Sequence, residues 1–214
     1  MPLTSVAASR RGPGNLEDAG SRPHLGGSEP VIHAERRDRT MTTHGPAWDA
    51  AALAHRTALA AYVARAGRLT SARWSAPRAP GKWSPAEVSE HLALSYEVGL
   101  AELRGGPALS VRTSFWQRAV LRWFVMPKLL AGGALTRPVK APMELRHPVA
   151  GEQVATLARL EQLAATLERE LDTAAARGPV RFTHPYFGAL DAVQVLGFCA
   201  FHARHHEAQV AEGE

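Results

Sequence analysis

A chain of 214 residues has room for one ordinary domain with a sizeable core, and a remainder besides. Its 45% hydrophobic and 21% charged residues are typical of a soluble globular protein, and the lack of long alternating β-branched runs points to an all-α fold. The net charge of +5 comes from arginines scattered among acids rather than from a Lys/Arg block interleaved with aromatics, which argues against a nucleic-acid partner.

Residues 1–45 are rich in Gly, Pro, Ser, Arg and Asp and show no apolar period. They are expected to form a disordered N-terminal extension ahead of a folded domain over residues 46–214. Met41 opens a more ordinary sequence, so the segment before it is either an extension or a mis-assigned start. A first helix is predicted from about Trp48 to Ala66, with Ala52, His55, Leu59, Tyr62 and Ala66 forming one buried stripe. The second opens on a strong start signal. Ser84 is the N-cap, Pro85 suits the first turn, Glu87 completes a capping box, and Trp83 and Val88 are placed as a hydrophobic staple. Val88, His91, Leu92 and Ser95 share one face of this helix, which should end near Gly105-Gly106.

The segment Ser114 to Leu130 is helical, unusually apolar and aromatic, and Pro127 is expected to end or kink it. Arg118, Arg122, Lys128 and the proline argue against a membrane span there. Its role is open between widening a substrate cavity and making a homodimer contact. Gly132 to Pro148, with Pro138 and Pro142, reads as a long crossover loop of the kind that often covers sites. The helix from Gly151 to about Ala176 has the clearest seam, Leu157, Leu160, Ala164, Leu167 and Leu171, and Gly178-Pro179 stops it. The last helix starts at Asp191, with a second capping box to Gln194 and a staple of Leu190 and Val195, and runs to about Val210.

The chemistry lies in FHARHHEAQ, Phe201 to Gln209. His202 and His206 are four apart and stack on one helix face, the face that carries Val195, Phe198 and Cys199. Two imidazoles at that spacing can reach one metal ion, and His91, on an apolar helix face, supplies the third. Three neutral imidazoles leave a coordination position open for water or substrate. Read from spacing alone, hydrogen-bonded core histidines compete evenly with a metal site. His205 has a possible ligand spacing to His202 but is expected to face a helix neighbour or solvent. His55 is either a partner to a ligand histidine or core packing. Cys199 is a ligand, a thiolate or a small buried apolar residue. Gln209 either hydrogen-bonds a ligand histidine or packs the helix end.

WSPAEVSEHL, Trp83 to Leu92, and HPYFGALDAVQVLGFCAFHARHHEAQV, His184 to Val210, together resemble the second-helix and closing motifs of the DinB-like (DinB/YfiT-type) superfamily. The closing motif is an HP-aromatic-G turn leading into a helix that ends H-xxx-H-xx-Q. The resemblance spans most of residues 48–210. It implies an up-down four-helix bundle with one long crossover and a metal site formed by His91, His202 and His206. It also implies relatives that are metal-dependent thiol transferases or isomerases, using zinc or nickel and a low-molecular-weight thiol such as mycothiol or bacillithiol. Arg137, Lys140 and Arg181 lie in loops, either to bind an acidic thiol or substrate or as solvated charges.

Three functions are thereby set against each other. The first is a metal-dependent thiol S-transferase, isomerase or hydrolase acting on a small electrophilic substrate. The second is a non-catalytic metal-binding stress-response bundle. The third is a hydrophobic-ligand or partner-binding bundle that uses the Phe115 to Leu130 face. A single cysteine and no signal-peptide core fit a cytoplasmic protein with no membrane partner.

Overall fold

The computed structural model describes residues 44–109, 111, 114–133, 142, 145–146 and 148–211. Most of the expected N-terminal extension, most of the expected crossover loop, and Arg137 and Lys140 lie outside the described residues. Among the described residues, seven α-helices and a hairpin follow in chain order: α1 Pro46–Ala66, α2 Ser71–Ser75, α3 Pro85–Leu103, α4 Phe115–Val120, α5 Met126–Leu130, α6 Gln153–Arg177, β1 Phe182–His184, β2 Gly188–Leu190 and α7 Ala192–Ala211. The four long helices form the expected bundle, with α1 packed chiefly on α7 and α3 on α6. No helix among the described residues is long and apolar enough to cross a membrane.

The stripes read from the sequence are the ones buried. Ala52, His55, Leu59, Tyr62 and Ala66 face inward from α1, and Leu157, Leu160, Ala164, Leu167 and Leu171 from α6. Several polar groups drawn into this core are paired, whereas His55 Nδ1 has no hydrogen-bond partner. The Tyr62 hydroxyl donates to Ser89 Oγ at 2.6 Å, and Ser89 donates to the Pro85 carbonyl at 2.9 Å. Glu90, buried on α3, accepts from Thr156 Oγ1 at 3.0 Å and Arg159 at 2.6 Å on α6. The Gln153 amide donates to the Ala66 and Leu69 carbonyls, which ties the start of α6 to the turn that leaves α1.

Three features go beyond the sequence expectation. Short α2 follows α1, capped by the Thr70 side chain. The turn before α7 is a two-stranded antiparallel hairpin with Phe182 opposite Leu190 and His184 opposite Gly188; Gly188 adopts φ 73°, which a residue with a Cβ rarely takes. Pro127 does not end its helix. Residues Leu121–Val125 instead form a π turn between α4 and α5. A proline ring collides with the carbonyl four residues back and removes one N–H from the ladder, and the wider π spacing accommodates both. Arg122 then anchors α4–α5 on the hairpin by donating to the Phe187 and Ala189 carbonyls.

Candidate metal centre

Local signals at two helix starts aim the histidines. At the head of α3, Ser84 N–H donates to Glu87 Oε2 at 2.7 Å and Glu87 N–H donates to Ser84 Oγ at 3.3 Å. At the head of α7, Gln194 N–H donates to Asp191 Oδ1 at 2.8 Å and Asp191 N–H donates to Gln194 Oε1 at 3.2 Å. These reciprocal caps fix the register of both helices. His91 lies two turns into α3, with its ring 5.0 Å from that of Trp83, and His202 and His206 lie on successive turns of α7.

The structure brings these three together. His202 Nε2 is 3.2 Å from His91 Nε2 and 3.0 Å from His206 Nε2, and one nitrogen from each ring lies within 4.8 Å of the others. Among the described residues this is the one group of three or more His, Cys, Asp or Glu side chains placed to share an ion. His91 and His206 are buried and His202 is half-buried.

The outer partners settle the protonation pattern. His91 Nδ1 donates to the Leu145 carbonyl at 3.2 Å, and His206 Nδ1 donates to Gln209 Oε1 at 3.0 Å. A carbonyl oxygen only accepts, so both rings carry their proton on Nδ1 and present bare Nε2 lone pairs to His202. His202 Nε2 has one hydrogen at most, so it can satisfy one of the two. The other contact sets lone pair against lone pair. A cation removes the conflict, and nitrogens holding one ion at about 2.0–2.1 Å in a tetrahedral arrangement stand roughly 3.4 Å apart, close to the spacings seen. Burial, reinforced by neighbouring imidazoles, pushes His91 down to about 4 and His202 and His206 well below the ordinary imidazole value. All three are therefore neutral, as ligands must be. The residues present fit a divalent ion with an open position.

The other sequence candidates stand outside the three-nitrogen cluster, although Cys199 and His205 line the same cavity. Burial pushes the Cys199 thiol up to about 12, so it is a protonated wall residue rather than a thiolate. His55 turns to the Tyr96 hydroxyl, 2.8 Å from its Nε2, and to Glu168 Oε2, 3.7 Å from its Nδ1. His205 lies over Phe201 and accepts from the Gln209 amide at 2.8 Å. Arg181 is exposed ahead of β1.

The three histidines sit in the wall of a cavity of about 670 Å3. Leu121, Val125 and Leu129, on the inner face of α4–α5, also line it, while Phe115, Trp116, Trp123 and Phe124 are exposed on the outer face. Sequence reasoning missed Arg78, Lys82 and His184, which line the cavity too. His184 Nδ1 accepts the Tyr186 and Phe187 N–H groups at 3.2 and 3.3 Å, which places its proton on Nε2, and burial holds it at about 3. The HP-aromatic-G turn was its signal. Gln209→Leu is expected to weaken metal binding by roughly 10–100-fold by releasing the His206 tautomer, as read by zinc competition against a chelating dye.

A family model described as the DinB superfamily matches residues 54–210. Among solved structures, TT2238, described as a four-helix bundle protein, is 24% identical, with 77% of this chain and 98% of that chain covered and a TM-score of 0.47. YfiT from Bacillus subtilis, described as a probable metal-dependent hydrolase with an unusual four-helix bundle topology, is 17% identical, with 78% and 85% covered and a TM-score of 0.49. No curated protein sequence matches the chain.

Proposed function

The chain belongs to the DinB superfamily, and from that premise we propose that it is a metal-dependent enzyme in which His91, His202 and His206 hold one divalent cation, zinc or nickel, and act with a low-molecular-weight thiol on an electrophilic organic substrate. The observation that carries the reading is the pair of lone pairs, fixed by Leu145 and Gln209, that meet at His202 Nε2. A bound divalent cation deprotonates a coordinated thiol, or lowers the pKa of coordinated water, and so supplies a nucleophile near neutral pH. The protein's own part is to keep three imidazoles neutral, to hold two of them in the ligating tautomer, and to keep bulk water away with apolar walls from α3, α5, α7 and the hairpin.

The reaction class this supports is thiol S-transfer or isomerisation, and a reducing cytoplasm is the compartment that keeps such a thiol reduced. The test is turnover by zinc- and nickel-loaded protein with mycothiol, bacillithiol or glutathione against a panel of alkyl halides, epoxides and unsaturated acids. Turnover with one thiol, abolished by chelation and restored by metal, is expected. Metal-loaded protein that turns over nothing in a chelation-sensitive way, with any of these thiols, would sink the reading.

A further inference from the structure

The cavity is larger than a small electrophile alone demands. About 670 Å3 is the size of sites that enclose drug-sized molecules. It is also long. On α3 alone its wall runs from His91 through Ser95 and Val98 to Glu102, and eleven helical steps at 1.5 Å each span about 16 Å.

The chemistry changes along that length. Beyond the histidines the walls are Val98, Val125, Leu129, Phe182, Phe187 and Phe198. Gly99 presents bare backbone there, with Phe182 and Leu167 closing over it at 3.4 and 3.6 Å from where a Cβ would stand. Among the described wall residues the one acid, Glu102, lies at the far end, and its carboxylate accepts the Thr183 N–H at 2.6 Å. At the histidine end the three clustered imidazoles are neutral, and the charged residues of the described wall are the cations Arg78 and Lys82, in the loop that enters α3. Arg78 shares a second small cleft with Trp83 and Gln209, and its charge reaches His206.

We propose that the organic ligand of this cavity is an elongated, mainly apolar molecule carrying an anionic group, with the anion bound by Arg78 and Lys82 beside the three histidines and the apolar body lying along α3 toward Phe182. The inference rests on the function proposed above only for which end reacts. The ligand class itself follows from the walls. An ammonium headgroup is repelled at the same end, and a short acid leaves the apolar stretch unfilled.

The experiment is calorimetric titration of chelator-treated protein with butanoate, hexanoate and octanoate, and with octyltrimethylammonium as the cationic counterpart. Affinity is expected to rise about fourfold per methylene entering the apolar stretch. Octanoate should bind at least tenfold tighter than octyltrimethylammonium. The double variant Arg78→Glu, Lys82→Glu should erase or reverse that preference while keeping the chain-length slope. Val98→Trp, or Val125→Trp should that variant not fold, should remove the slope. Equal affinity across the three acids overturns the apolar subsite, and equal affinity for acid and ammonium overturns the anionic one. Zinc uptake by the same preparation is scored separately. Uptake without a chain-length slope discards this inference and leaves the metal reading, and a slope without uptake does the reverse.

Discussion

Metal-loaded wild-type protein is expected to lose about 5–10 °C of melting temperature on chelation, and His202→Ala is expected to lose none. The ion binds the folded state alone, because His91 and His202 are separated by 111 residues and meet only through the bundle. At free ion about a hundredfold above its dissociation constant, such binding adds about 2.7 kcal/mol. For a domain of this size each kcal/mol moves the midpoint by about 2–4 °C. His202 is the choice for replacement because its Nε2 makes both short nitrogen contacts, whereas His91 and His206 each have an outside partner. Removing it takes away the nitrogen at which both short contacts meet and leaves His91 and His206 with their outside partners, so the metal-free variant should melt within a few degrees of metal-free wild type. Elemental analysis should find close to one ion per wild-type chain and almost none in the variant. Equal metal in both, or a chelator-insensitive wild-type melt, would discard the site.

What the sequence made legible is what short-range geometry decides. Ser84 with Glu87 and Asp191 with Gln194 are contacts three residues apart, and both capping boxes form. The alignment of His202 with His206 needs only the pitch of a helix. His91 joins them because the apolar faces of α3 and α7 turn to the same interior, which the hydrophobic pattern anticipates. The features that stayed hidden depend on distant partners. His55 was correctly placed on the inner stripe of α1, but its partners Tyr96 and Glu168 come from other helices. Strands of three residues are too short to show alternation, so the hairpin after Val180 left no period to read. Pro127 is expected from the α-ladder rule to end or kink its helix, and the chain meets the clash with a π turn and docks Arg122 on the hairpin. Arg78 and Lys82 sit in a loop whose composition gives no direction. Their place at the cavity is set by where α2 and α3 deliver its ends.

The same core sets the acid limit of the fold through Glu168. This carboxylate on α6 is 12% exposed, contacts His55 Nδ1 and is gripped by Arg56, whose Nε donates at 3.1 Å. Burial by itself would raise its pKa. The close approach of His55 and the hydrogen bonds and charge of Arg56 more than offset burial and take it from 4.5 down to about 2. A carboxyl depressed in the folded state contributes stability that is complete above the unfolded value of 4.5 and is lost as pH falls through about 2. The full shift corresponds to roughly 3 kcal/mol. The Arg56 side chain is 68% exposed, so solvent screening brings the realised value to about 2 kcal/mol. Glu168→Gln is therefore expected to melt about 4–8 °C below wild type at pH 7, with the gap narrowing below pH 4.5 and nearly closed at pH 2. Glu168→Ala should cost more at neutral pH, because the buried His55 Nδ1 then loses the polar group it faces, while Arg56→Ala should cost less than either since its head is already in water. Calorimetric melts of the three variants and wild type, from neutral pH to pH 2, read the ordering directly. A Glu168→Gln deficit that persists undiminished at the acid end would show that packing, not the ionised carboxylate, accounts for it.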